Sequence, residues 1–483
     1  MRSRSCGEIP PLRVLPAHVS AGGAPTVKIT VSDELSGALR SSNTVSPASR
    51  RGTAVGDVAA RGARNALLDL LGDHTVTEST LPFAGLRVVE VANWIAAPVA
   101  ATILGDLGAE VVKIEPPGDG DPYRALPGGP ELDDVGVNYT WIMDGRGKRS
   151  VTLNLKTEEG LAIVRKLVRG CDVYITNQPL PARERFGLTY DELAPLNPRM
   201  IYASLTAYGE VGPERDRPAF DQVAYWARSG LSDLMRVPGA APAQGIPGTG
   251  DHPTGVSLYA AIVTALYRRE RTGEGGLVHT SLHANGLWAN GCWGQAALAG
   301  VDFSERRQRG PTPDRPQPAT QVLYEARDGR YVQLNMVRTD EQLRALLGAL
   351  GREDLLADSR FENPESRLEN GAALAEQMRG VISQRPAAEW IVALRAAGVP
   401  ASPVVQPEEL CDDEQAIANE VLLENSDPEV PMPLVINHPI RLAGVRGRGV
   451  SRPPDVGEDS DEVLSELGYS AGEIAVLRDR GVL

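Results

Sequence analysis

Cysteine is scarce in this chain: Cys6, Cys171, Cys292 and Cys411 are the only four in 483 residues, and no two lie close together. That spacing excludes a dense disulfide framework and a cysteine-built zinc site, and lone thiols fit a reducing compartment. Long apolar runs are missing too. The longest stretches, 94–104 and 256–267, fall short of the ~20 residues a membrane helix needs. The first residues (MRSRSCGEIPPLRVLP) lack the apolar region of a signal peptide, so neither secretion nor membrane insertion is expected and a cytoplasmic location is. Positive charge is in deficit. Lys and Arg number 49 against 63 Asp and Glu, a net charge of −14. A general nucleic-acid binder needs a basic face, so nucleic acid is excluded as a partner, whereas a local basic patch for a phosphorylated ligand is not. What is present is ordinary for a soluble globular protein: 42% hydrophobic and 23% charged residues. The length predicts two or three domains.

Residues 1–80 are rich in Ser, Ala, Gly and Arg and read as a flexible extension, with one possible helix at 60–71 and a transit peptide as a lesser alternative. Order begins at Leu81. Strand 86–92 (LRVVEVA), helix 98–107 (PVAATILGDL) and strand 109–115 (AEVVKIE) make a βαβ unit and imply a parallel sheet. The alternation continues with strand 149–155, helix 158–168 capped by Thr157, strand 172–176, a short helix at 191–196 and strand 200–206. Helices at 221–234 and 253–269, strand 277–282 and helix 284–298 follow. Segment 310–318 has four prolines in nine residues and reads as extended linker. Strand 331–335 and amphipathic helices at 340–350, 372–383 and 388–397 form a second unit. The tail holds a helix at 461–467 and a capping-box start at Ser470 and Glu473. The expected layout is an extension (1–80), a large α/β domain (81–305), a linker (306–330), a small α+β domain (331–430) and a C-terminal segment returning to the large domain (431–483).

Strand, loop, helix and a strand ending in an acid, Glu115, outline a dinucleotide-binding unit. That motif needs glycines where backbone approaches a pyrophosphate. The loop here is Asn93-Trp94-Ile95-Ala96-Ala97-Pro98, without one, so an NAD site is not expected. The glycine-punctuated segment GIPGTGDHPTG at 245–255 places Asp251 at the mouth of a helix. Asp is a preferred helix cap, and a carboxylate can equally be a covalent nucleophile. The two roles are compatible, and spacing alone leaves both open. His252 follows directly, but adjacency in sequence does not make an acid–base pair.

From Leu81 to the end, the chain resembles the class III CoA-transferases, the group with formyl-CoA:oxalate, carnitine and 2-hydroxyacid members and the α-methylacyl-CoA racemase offshoot. The resemblance rests on ordered blocks: GLRVVEVANWIAAPVAATILGDLGAEVVKIEPPG (85–118), GKRSVTLNLKTEEG (147–160), NPRMIYASLTAYGEVGP (197–213), FDQVAYWARSG (220–230), GTGDHPTG (248–255), RRERTGEGG (268–276), GVPASPV (398–404) and the tail from residue 452. It implies a Rossmann-like large domain with a parallel sheet, a smaller α+β domain and a homodimer of interlocked rings. It implies an acyl-CoA and a carboxylic acid as substrates, with no permanently bound cofactor and no metal. Asp251 would be the nucleophile, passing through a mixed anhydride and an aspartyl-CoA thioester, with amides of Gly248 and Gly250 as oxyanion donors. CoA contacts would come from Asn93, Trp94, Ile95, Ala96, Leu153, Asn177 and Arg185.

Departures from the family pattern narrow the branch. Pro116 and Pro117 stand where the oxalate branch carries a basic residue near the adenosine phosphate, which leaves Arg124, Lys148 or Arg149 to supply that charge. Phe220-Asp221 replaces the His-Asp pair of the racemase branch, which argues against the racemase alternative. No run of more than two glycines occurs, against the oxalate branch. GDH at 250–252, YWARSG at 225–230 and SLHANGLW at 281–288 look closest to 2-hydroxyacid and aryl-lactate transferases, and Trp288 and Trp293 are candidates for a bulky acyl pocket. An intact Asp251 between glycines argues against a non-catalytic CoA-binding paralogue.

Overall fold

Strands β1 (Arg87–Val91), β2 (Glu110–Glu115), β3 (Lys148–Thr152), β4 (Val173–Thr176), β5 (Ile201–Thr206) and β6 (Gly276–Ser281) form one sheet in the order β3-β2-β1-β4-β5-β6, parallel throughout. The structure, a computed structural model, describes residues 81–127, 132–304, 307, 317–335, 337 and 339–483. The expected extension, with its helix at 60–71 and Cys6, and most of the proline-rich linker lie outside them. Strand order reverses between β1 and β4, so their carboxyl ends diverge and leave a crevice, the usual ligand position in an open α/β sheet.

Both faces of the sheet are covered. On one, helix α1 (Ala96–Asp106) and helix α5 (Asp251–Thr272) pack Ala97, Ala100, Leu104, Leu258 and Ile262 against Val88, Val173 and Ala203. All eleven residues of α1 are buried; it reads as an unbroken apolar run because it is covered all round. Pro98 is its third residue, where no intrahelical donor is lost. On the other face lie helix α3 (Glu158–Gly170) and the C-terminal helices α6 (Ser460–Glu466) and α7 (Ala471–Asp479), which contribute Leu161, Val164, Val463, Leu464, Ile474 and Leu477 to a second core. Thr157 caps α3 through Gly160 N–H, 3.1 Å, and Ser470 with Glu473 closes the capping box of α7, both as the spacing predicts. Between these elements sit α2 (Tyr139–Gly145) and α4 (Leu180–Phe186).

A separate antiparallel sheet, β7 (Leu323–Glu325), β8 (Tyr331–Leu334) and β9 (Ala401–Pro403), packs with helices Asp340–Ala349, Gly371–Ile382 and Ala387–Ala396 around Trp390, Met378 and Leu346. Its first strand falls within the stretch read as linker. Two expected helices are each broken. Segment 221–234 becomes a π-helix, Gln222–Ala227, and a short helix, Leu231–Leu234, because Gly230 between them is left-handed at φ 87°. Segment 284–298 divides at Asn290 into Leu282–Ala289 and Gly291–Leu298. Among the described residues, no helix is long and apolar enough to cross a membrane, and no group of His, Cys, Asp or Glu is placed to hold a metal ion.

Candidate active site

The β1–α1 loop carries the most constrained backbone near the crevice. Trp94 sits at φ 66°, a left-handed conformation that costs a bulky residue about 1–3 kcal/mol and persists only where neighbours impose it. Here they do. Trp94 N–H donates to Asp121 Oδ1, 3.0 Å. Asp121 Oδ2 is held by Lys113 at 2.8 Å, and Lys113 also meets Glu90 at 2.7 Å. Glu90 is shared with Lys148 at 2.9 Å. All four charged side chains are fully buried, so opposite charges replace the water each has lost. Burial alone would drive the Lys113 ammonium down, but Glu90, Asp121 and Glu115 overcome it and hold its pKa above the usual value. Asn177, at the end of β4, locks the same loop from the other side: its Oδ1 accepts from Asn93 N–H at 3.0 Å and its Nδ2 donates to Asn93 O at 2.7 Å.

These constraints frame a cleft of about 460 Å³ at the carboxyl edge of the sheet, within the range of small-ligand sites. Asn93, Trp94 and Ala96 line it after β1, Asn177 and Gln178 after β4, Leu205–Ala207 at the end of β5, and Arg215 to Phe220 beyond. Asp251 opens onto it from the start of α5. Phe220 meets Trp94 edge-to-face at 5.3 Å between ring centres. The walls are mostly apolar, with Arg215 and Arg217 as cations and Asp251 and Asp216 as the acids.

Asp251 is 9% exposed, and its carboxylate accepts no hydrogen bond among the described residues. The capping reading is corrected: the cap position is Gly250, and no side chain caps the helix. Asp251 is instead the first helical residue, aimed into the cleft. Burial pushes its pKa up to about 7, the Asp221 and Asp144 carboxylates add to the rise, and His252 opposes it. Asp221, buried, accepts Gly250 N–H at 2.9 Å, which fixes the glycine turn and commits one of the two amides expected for an oxyanion. A Cβ on Gly250 would lie 2.6 Å from the Tyr225 ring, so only glycine fits there. Gly248, at φ 82°, takes the left-handed turn just before the helix. His252 does not pair with Asp251 through a hydrogen bond. Its Nδ1 lies 3.0 Å from Gly248 O and its Nε2 3.3 Å from Asp144 Oδ1, and Tyr123 Oη donates to the other Asp144 oxygen at 2.7 Å.

Of the residues expected around the cleft, Asn93, Trp94, Ala96, Asn177 and Asp251 come together. Ile95 turns into the core beside α1, and Leu153 is 1% exposed in the core of the opposite face. Arg185 is exposed on α4, with its guanidinium 4.8 Å from the Phe186 ring. The three cations offered in place of a base at Pro116 are all engaged elsewhere: Arg124 by Glu115, Lys148 by Glu90, Arg149 by Glu466. Trp288 and Trp293 are exposed, Trp288 at 86%, and neither lines the cleft. The cations that do are Arg215 and Arg217, from a segment whose Arg-Asp-Arg-Pro run carries no motif of its own. Asp144 and Tyr123 lie over a hundred residues from His252 and leave no sequence signal.

A doubly wound sheet with a buried carboxylate at its switch-point cleft defines an α/β enzyme that works on a ligand laid across strand ends. The chain belongs to CoA-transferase family III, whose model matches residues 83–460, and it is an enzyme of the CoA-transferase class. It is 33% identical over 402 residues to (R)-2-hydroxy-4-methylpentanoate CoA-transferase of Clostridioides difficile, covering 83% of this chain and 98% of that one. It is 34% identical over 415 residues to cinnamoyl-CoA:phenyllactate CoA-transferase of Clostridium sporogenes, covering 84% and 98%. Among solved structures, a CaiB/BaiF family protein from Brucella suis superposes with a TM-score of 0.69 at 30% identity, covering 80% of this chain and 99% of that one.

Proposed function

We propose that this enzyme moves coenzyme A from an acyl-CoA donor to a carboxylic acid, with Asp251 as the covalent carrier. Asp251 Oδ attacks the thioester carbonyl, the C–S bond breaks, and CoA leaves as thiolate from a mixed anhydride. The thiolate attacks the Asp251 side-chain carbonyl, forming an aspartyl-CoA thioester and releasing the donor's acid. The acceptor carboxylate then attacks that thioester, giving a second anhydride and free thiolate. The thiolate takes the acceptor's acyl carbon, and Asp251 returns as carboxylate. No proton is lost or gained, and the thioester's free energy is conserved so long as water is kept out.

One observation carries the reading: a buried carboxylate that accepts no hydrogen bond among the described residues, at the wall of a largely apolar cleft. A solvated carboxylate is a poor nucleophile; a desolvated one loses that protection. Gly248 N–H is the amide left to stabilise the oxyanion. Asn93, Trp94, Ala96 and Asn177 border the thioester end, and Arg215 and Arg217 supply positive charge for a phosphate or an incoming carboxylate. The Trp94–Phe220 pair suits a bulky apolar acyl group, and the names of the two curated relatives, a branched and an aryl 2-hydroxyacid transferase, support that class. Incubation with acyl-CoA and hydroxylamine is expected to leave a hydroxamate on Asp251, found by peptide mass spectrometry, and none in Asp251→Ala. Wild-type protein that yields no hydroxamate across branched, aryl and short acyl-CoAs would overturn the reading.

A further inference from the structure

Both ring nitrogens of His252 face acceptors. Nδ1 points at the Gly248 carbonyl, 3.0 Å away, and a carbonyl cannot donate, so Nδ1 carries a proton. Nε2 faces Asp144 Oδ1 at 3.3 Å. A neutral imidazole protonated on Nδ1 would set its Nε2 lone pair against a carboxylate oxygen. The pair therefore holds one more proton than a neutral histidine beside a free carboxylate. Imidazole is the more basic of the two groups, and Tyr123 Oη already donates to Asp144 Oδ2 at 2.7 Å. The extra proton belongs on the ring.

We propose that His252 is a standing imidazolium that keeps the neighbouring Asp251 carboxylate ionised, and that Asp144, backed by Tyr123, is the residue that secures its charge. This deepens the reading of Asp251 as nucleophile and rests on it. The charges around the helix start explain the need. Asp251, Asp221 and Asp144 are three buried carboxylates, and Asp221 and Asp144 both disfavour a charge on Asp251, which His252 alone among its neighbours favours. Lys148, the cation that also senses Asp144, is occupied by Glu90. Against the cost of burial, Asp144 first, then the Gly248 carbonyl and the Asp251 carboxylate, raise the pKa of His252 to about 9, so the cation persists through neutral pH. His252 and Asp144 touch no reacting atom in this scheme. They are positioning residues acting through Asp251.

The test uses full-length protein labelled with nitrogen-15 histidine and carbon-13 aspartate. At pH 8 the wild type is expected to show both His252 nitrogens protonated and the Asp251 carboxylate ionised. In Asp144→Asn, His252 is expected to titrate near an ordinary histidine. In His252→Gln, the acid limb of hydroxamate formation is expected to move up by at least about one pH unit, roughly a fivefold loss at pH 7, with little loss at pH 9. A neutral His252 at pH 8 in the wild type, or an acid limb unmoved in His252→Gln, would overturn the proposal. A wild type that forms no hydroxamate yet holds His252 charged and Asp251 ionised would instead overturn the nucleophile reading, since the resonances report the charges without turnover.

Discussion

At the residue scale, Asp251 is held at a cost to the fold. An unfolded Asp titrates near 3.8 and the folded one near 7, so between those values the native state keeps a proton that the unfolded chain gives up. Stability contributed by this side chain therefore falls as pH rises from about 4 to about 7, by up to about 4 kcal/mol. Asp251→Asn removes that liability. The variant is expected to lose transfer while unfolding at higher denaturant than wild type at pH 8 and at about the same denaturant near pH 4. Equal midpoints at both pH values would show that the carboxylate is not desolvated. The glycines around Asp251 were legible in the sequence, and so was its place in a family motif. Its freedom from capping was not, because Asp at a helix mouth reads the same whether its oxygens turn toward the amides or toward a cleft. Arg185 shows how little spacing says of burial: in LPARERF, Arg183 takes the buried place, paired with Glu210 at 3.0 Å, and Arg185 is exposed.

At the element scale, the crevice is shaped by how the β1–α1 loop is pinned. The strands and helices of the large sheet were readable from alternation and capping, since each is set by its own residues. The buried Glu90–Lys113–Asp121–Lys148 network was not, because its members sit on three strands and a loop and become neighbours only once the sheet forms. Lys113→Met is the direct probe. It leaves Asp121 and Glu90 short of a partner in the interior, where a broken buried ion pair costs about 3–5 kcal/mol. It also frees the loop that holds Trp94 at φ 66°. Chemical denaturation is expected to show that loss, with a raised KM for acyl-CoA in the protein that still folds. A variant as stable as wild type would mean that the network does not hold the loop.

For the whole molecule, the chain's last helices, from Ser460 on, close a sheet whose last strand ended at Ser281. Val463, Leu464, Ile474, Leu477 and Val482 share one core with Val151, Leu161 and Tyr174, so the C-terminus is structural. The family match, by contrast, starts at residue 83. Deleting residues 1–75 is expected to leave transfer and the sedimentation coefficient of the assembly unchanged, whereas deleting 460–483 strips the α3 face and yields aggregated protein. A changed assembly state on the first deletion, or an active soluble product from the second, would contradict that division. Trp288 at 86% and Leu298 at 84% exposure leave apolar surface in water, and burial of both in an assembly is the outcome that protection from solvent labelling in the intact protein would check. The cleft itself divides the labour between segments. Asp251 and His252 come from the start of one long helix, while residues 205–207 and 215–220 form much of the facing wall. On the reading proposed above, carrier and wall are written in different stretches of chain, so a substitution along the wall can alter which acid is taken while leaving the carrier in place.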